Sequence, residues 1–295
     1  MTGRGSILAL LLAWASLAQA ADLRVQQADG SELHLAAPAR RIVTLAPHLA
    51  EGVFAAGAGR QLIATVDYSE YPVAAVDIPR IGDAFRLDIE RIVALQPDLV
   101  IAWDSGNPRP AVEQLRQLEL PVWSVEIREP RGIPAFIETV GRVSGHAAKA
   151  RSEADRLRNR LAELRQRYAG AQPLRYFYQV DAKPLFTINE RHLISQGLAL
   201  CGGVNIFAGE PGLAFQVARE SVIVANPDAM LAPRLPGAAD PLAGWRAWTG
   251  LAAVQQGALF LLPADEISRA TPRFLDTLDQ ACKLLQALRG NPDNE

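Results

Sequence analysis

The chain has 295 residues, near charge balance (30 Lys and Arg against 32 Asp and Glu, formal charge −2) and only two cysteines. No basic run and no interleaving of basic with aromatic residues marks a nucleic-acid partner. Beyond the N-terminal twenty residues no segment stays apolar long enough to cross a bilayer.

Residues 1–20 read as a secretory signal. Arg4 is their only charge, Ile7 to Leu17 are apolar, and Ala18-Gln19-Ala20 supplies the small residues of a cleavage site. The apolar run is too short for a membrane span, and no Cys stands near the cut to accept a lipid. Cleavage after Ala20 implies export to an oxidising compartment outside the cytoplasm. In that oxidising compartment Cys201 and Cys282 favour a disulfide, with two buried thiols as the alternative.

Residues 21–131 read as an N-terminal α/β lobe. Leu23 to Gln26 and Glu32 to Leu35 alternate around the Asp29-Gly30 turn signal, which predicts a hairpin. Short apolar strands then alternate with helical patterns: strands at Ile42–Leu45, Leu62–Val66, Asp98–Trp103 and Val122–Val125, and helices at Leu49–Ala56, Leu87–Leu95 and Pro110–Leu118. Continuous apolar strands separated by helices imply a parallel sheet covered on both faces. Residues 132–169 carry apolar groups from Phe136 to Leu164 at spacings of three and four. That spacing predicts one long amphipathic helix from Ile133 to Tyr168, roughly 36 residues or about 54 Å at ~1.5 Å per residue, or two helices joined near Ser144-Gly145. Residues 170–295 form a second alternating block: strands at Arg175–Val180, Asn205–Phe207, Ala229–Ala232 and Leu259–Leu262, and helices at His192–Leu200, Glu220–Ala225, around Trp245–Ala253, and Arg273–Leu288. The fold class is α/β: two Rossmann-like lobes with mainly parallel sheets, joined by a long backbone helix, with a ligand cleft between them.

No zinc spacing, phosphate loop or nucleophile elbow is present, so no catalytic set is selected. The strand exits carry the informative residues: Ala46-Pro47-His48, Asp67 to Pro72, Trp103 to Asn107, Tyr178 to Asp181 and Asp265 to Arg269. Aromatic faces with a few polar groups suit a flat macrocycle bearing amide arms. Taken singly, Trp103 fits plain core as well as a ligand wall, and His48 fits a hydrogen-bonded loop histidine.

Several stretches resemble the periplasmic cobalamin-binding proteins of ABC importers, a branch of the helix-linked class that also serves haem and ferric siderophores. They are Arg41 to Pro47, Tyr68-Ser69-Glu70-Tyr71-Pro72, Leu87 to Trp103, Cys201 to Phe207, and Arg269 to Arg273. The resemblance implies a non-enzymatic, monomeric binding protein with cobalamin as its transported ligand and no catalytic cofactor. Its partner is a permease–ATPase complex, and haem or a ferric siderophore is the alternative ligand. It further implies corrin contacts at Tyr68 and Trp103, polar ligand contacts at Asp265 and Arg269, a Cys201–Cys282 disulfide, and permease-docking carboxylates at Glu90 and Glu220. Where the family carries Trp, this chain has Ala84-Phe85 and Ala214-Phe215, so Phe85 and Phe215 are the aromatic groups expected at the ligand. Ile267 replaces a further aromatic. His48 stands where the family often has no His, and its imidazole is a possible axial ligand to cobalt or haem iron.

Overall fold

A computed structural model describes residues 23–290, so the expected secretory signal lies outside the described residues. The hairpin pairs β1 (Leu23–Gln26) with β2 (Glu32–Leu35) in antiparallel register, Leu23 opposite Leu35. Asp29 accepts the Ser31 backbone N–H and hydroxyl in the turn, as its sequence signal requires.

The first lobe runs β3 (Ile42–Thr44), α1 (Pro47–Ala55), β4 (Leu62–Ala64), α2 (Ile89–Ala94), β5 (Leu99–Trp103), α3 (Arg109–Gln117) and β6 (Val122–Val125). Its four strands are parallel in the order β4-β3-β5-β6. Leu99, Val100, Ile101 and Ala102 are all fully buried, because both faces of the sheet are covered and a strand there needs no polar alternation. Pro47 begins α1, where its missing N–H has no intrahelical partner to lose. Asp88 caps α2 by accepting the Arg91 N–H.

The segment 132–169 is helical but is not one rod. α4 (Gly132–Val143) ends at Ser144, Gly145 turns the chain with φ +79°, and α5 (Ala147–Arg167) runs back along α4. Glu138 reaches both Arg151 and Arg158, whereas in a straight helix twenty residues span about 30 Å. Gly141 allows the close approach: a Cβ there would lie 2.0 Å from the Ala150 Cβ. Of the two expectations, one long helix or two helices joined near Ser144-Gly145, the structure has the second, folded back as a helical hairpin. α4 packs on α1, and α5 alone, 21 residues or about 31 Å, carries the chain to the second lobe. Arg160 and Arg167 of α5 pair there with Asp276 and Asp279.

The second lobe comprises β7 (Leu174–Tyr178), β8 (Asp181–Ala182), β9 (Leu185–Ile188), α6 (Leu193–Ala199), β10 (Gly203–Asn205), β11 (Ala214–Gln216), α7 (Arg219–Ala225), β12 (Ala229–Arg234), α8 (Ala252–Gln255), β13 (Leu259–Pro263), α9 (Ala264–Ile267) and α10 (Pro272–Arg289). Its parallel sheet, β10-β7-β12-β13, repeats the first lobe's topology strand for strand. Two features were not anticipated. A small antiparallel sheet, β11-β9-β8, rises beside the cleft. The helix expected around Trp245–Ala253 is instead a single 3₁₀ turn at Ala243–Trp245 and the short α8, with Thr249-Gly250 between them. The Trp245 indole is buried and donates to Gln179 Oε1 at 2.7 Å, and this interior hydrogen bond replaces helical continuity.

Candidate ligand cleft

In both lobes the strand order reverses beside the first strand, which opens a crevice at the carboxyl ends of its neighbours. The two crevices face each other across a cleft of about 620 Å³, within the range of small-molecule sites. In the first lobe the crevice lies between β3 and β5. His48, just past β3, and Trp103, the last residue of β5, meet there edge to face with ring centroids 5.2 Å apart.

Asn107 organises this wall. Its Oδ1 accepts the Trp103 N–H at 2.7 Å, and its Nδ2 donates to the carbonyls of Leu45 and Ala84, both at 2.8 Å. One buried amide thus ties the exits of β3 and β5 to the loop that carries Phe85. The sequence reading gave Asn107 to the ligand; the structure buries it as a brace. Gly106 lies flat under the indole, since a Cβ there would come within 1.9 Å of the ring.

Tyr68 has φ +64°, a left-handed conformation unusual for a bulky residue. Behind it Thr44, Thr65 and Ser69 form a buried hydroxyl chain, and Arg80 donates to the Ser69 carbonyl at 2.9 Å. These bonds over-determine the turn and leave the Tyr68 ring 69% exposed at the cleft, beside Phe85 at 68%. Exposed rings on a braced backbone are surfaces that a flat ligand can cover at little cost in ordering.

The opposite wall carries Leu213, Leu235, Asp265, Ser268 and Arg269, with His192 and Leu193 at its base. Arg269 and Asp265, one turn apart, pair at 2.7 Å. Phe215 is a correction. It is absent from the cleft lining, because β11 turns it edge-on to Phe207 at 6.1 Å, and Phe207 in turn packs on Phe177 within the lobe. Tyr178 and Gln179, expected at the cleft as a strand exit, are buried in the lobe as well.

Sequence reasoning passed over His192, which reaches the cleft from the N-cap of α6, where its Nδ1 accepts the Ile194 N–H at 3.2 Å. It also passed over Glu51. This residue of α1 is buried between the lobes, where it accepts two bonds from Arg273, at 2.6 and 3.0 Å, and one from Arg269 at 3.3 Å. Arg273 also stacks on Tyr71, 4.1 Å from the ring centroid. A Glu three residues after His48 on an otherwise apolar helix was the available signal.

Burial lowers the His48 pKa to about 4, with Arg269 adding to the shift, and burial lowers His192 to about 4 too. Both imidazoles are uncharged at neutral pH. Between about pH 4 and 6.5 the unfolded chain binds protons that the native state does not, so stability is full above 6.5 and is lost as pH falls toward 4. The expected result is that the His48→Gln/His192→Gln variant loses less unfolding free energy between pH 7 and 5 than the parent, by a slope of about two protons. Denaturant titrations at the two pH values measure it, and equal losses would refute it.

Glu90 and Glu220 are exposed, each the second residue of its helix, α2 and α7. These two helices occupy equivalent places in the repeated topology, each linking the second strand of its lobe to the third. The glutamates therefore begin helices at the carboxyl-end face of each sheet, the face that borders the cleft. The disulfide joins Cys201 to Cys282, both fully buried.

The model of the family described as periplasmic binding protein matches residues 42–266. A vitamin B12-binding protein of Vibrio cholerae is 39% identical over 250 residues, covering 84% of this chain and 90% of the relative. One of Vibrio parahaemolyticus is 33% identical over 253 residues, covering 85% and 91%. The crystal structure of the periplasmic vitamin B12-binding protein of Vibrio cholerae superposes with a TM-score of 0.80 at 38% identity, covering 86% of this chain and 99% of that one. A periplasmic haem-binding protein of Vibrio cholerae superposes at 0.71 with 21% identity over 83% and 98% of the two chains, a likeness of fold alone.

Proposed function

We propose that this chain, which belongs to the periplasmic binding protein family, captures a cobalamin in its interlobe cleft and delivers it to the permease of an ABC importer. The observation that carries the reading is the braced aromatic wall of Tyr68, Phe85 and Trp103, in a chain 39% identical to a protein named for vitamin B12 binding. Corrin is a flat ring rimmed with carboxamides. The aromatic faces supply apolar contact, and Asp265, Ser268 and Arg269 opposite supply donors and acceptors for the amides. Glu90 and Glu220 flank the cleft mouth as the docking pair for permease arginines. Exposed ion pairs of this kind set orientation more than affinity. Export by residues 1–20 places the protein in the periplasm as a monomer that carries its ligand without altering it.

His48 offers an uncharged imidazole from the same wall. It is the group we assign to an open axial position of the ligand's metal.

The test is a calorimetric titration of residues 21–295 with cyanocobalamin, with hemin in parallel. Saturable one-to-one binding of cyanocobalamin at submicromolar affinity is expected. No heat with cyanocobalamin, together with a Soret shift for hemin that His48→Ala abolishes, would move the protein to the haem branch.

A further inference from the structure

The cleft lining holds four carboxylates, Asp67, Asp83, Glu126 and Asp265, against two guanidiniums, Arg128 and Arg269. Neither guanidinium is free. Arg269 is held by Asp265 at 2.7 Å on its cleft side and by Glu51 at 3.3 Å behind, and Arg128 lies 3.8 Å from Glu126. Arg273, outside the cleft lining, shares Glu51 with Arg269: it is gripped by both oxygens of Glu51 and has Glu266 at 3.8 Å. The Glu51 side chain is only 1% exposed, so water screens its charge little, and it acts at full strength on the two guanidiniums it touches. The cleft therefore presents donors and acceptors with an excess of negative charge.

We propose that Glu51 is a specificity-determining residue: by pairing with Arg269 from behind the wall and lowering the positive charge there, it makes the cleft accept a macrocycle rimmed with neutral amides and disfavour one that carries carboxylates. The inference deepens the cobalamin reading and rests on it. Corrin presents uncharged carboxamides to such a wall, whereas haem presents two propionate carboxylates. A wall whose guanidiniums are already paired cannot grip propionates, and its surplus carboxylates repel them.

Glu51→Gln keeps the size and polarity of the side chain and removes one negative charge. The expected result is that hemin binds about five- to tenfold tighter than to the parent at low salt, and that the gain fades near 0.5 M salt as screening sets in. Hemin dimethyl ester, which lacks the carboxylates, should gain nothing, and a gain as large as that of hemin would show general loosening of the cleft instead. Asp265→Asn removes the other partner's charge at a half-exposed position and should shift hemin in the same direction, so the inference stays testable if Glu51→Gln fails to fold. Hemin affinity that rises in neither variant, undetectable binding included, overturns the inference. Failure of the parent to bind cyanocobalamin would instead overturn the cobalamin reading, and it is scored separately, because hemin is compared between variant and parent.

Discussion

Trp103→Ala is expected to weaken cyanocobalamin binding by roughly 30- to 1000-fold, the range for removing a central aromatic anchor. The indole ends β5 at the topological switch point, leans edge-on against His48, and has its backbone N–H fixed by Asn107. Removing it takes away apolar area and also the partner that orients His48. A second variant separates the ring's position from its presence. Gly106→Ala keeps the tryptophan, but the new methyl would sit 1.9 Å from the present ring position, so the indole must leave its place. Gly106 has an ordinary backbone conformation, so the substitution strains no turn. An affinity loss of about tenfold or more with a nearly unchanged melting temperature is expected. Calorimetric titration and thermal unfolding of both variants check this, and parental affinity in both would remove Trp103 from the binding wall.

What the sequence made legible follows from how local each signal is. The buried strands of both sheets were readable because Val-, Ile- and Leu-rich runs such as Leu99 to Ala102 need only a covered sheet to explain them. His48, Tyr68, Trp103, Asp265 and Arg269 could be picked out as cleft-lining residues because each stands on a segment leaving a strand end, where an open α/β sheet puts its ligand, whereas Phe85, on the long loop before α2, came only from the family resemblance. Phe215 was misplaced because the antiparallel sheet that turns it inward depends on pairing Ala214–Gln216 with Phe186–Ile188, far away in sequence. One long helix and two helices joined near Ser144-Gly145 both stayed open because amphipathic spacing continues across that dipeptide. Only the left-handed Gly145 and the absent side chain of Gly141 separate a fold-back from a straight rod. Glu51 was missed for a different reason: the lone carboxylate on the apolar α1 is its only local signal, and its partners Arg269 and Arg273 lie more than two hundred residues away.

Loss of the disulfide should have the largest effect on stability. Cys201 follows α6 and Cys282 lies within α10, so the bond closes an 81-residue loop. In the chain-entropy account, opening a loop of that size costs roughly 4–5 kcal/mol. For a lobe of this size that amounts to a fall of roughly 10 °C or more in melting temperature. The Cys201→Ala/Cys282→Ala variant, or the parent under a reductant able to reach this buried bond, should show the fall. The loop contains Leu213, Leu235 and the whole Asp265 to Ala270 wall, so ligand protection should fall with it, while the first lobe keeps its own transition. Two hydrogen bonds from one side chain work against the full effect. Arg289 donates to the Cys201 and Gln172 carbonyls, both at 2.7 Å, and holds the end of α10 to the same place without the sulfurs. Calorimetric scans of the oxidised parent and the double-alanine variant weigh the two. A fall under about 2 °C would mean that this guanidinium and the packing of α6 against α10 already fix the lobe, and that the disulfide adds little to a chain so constrained.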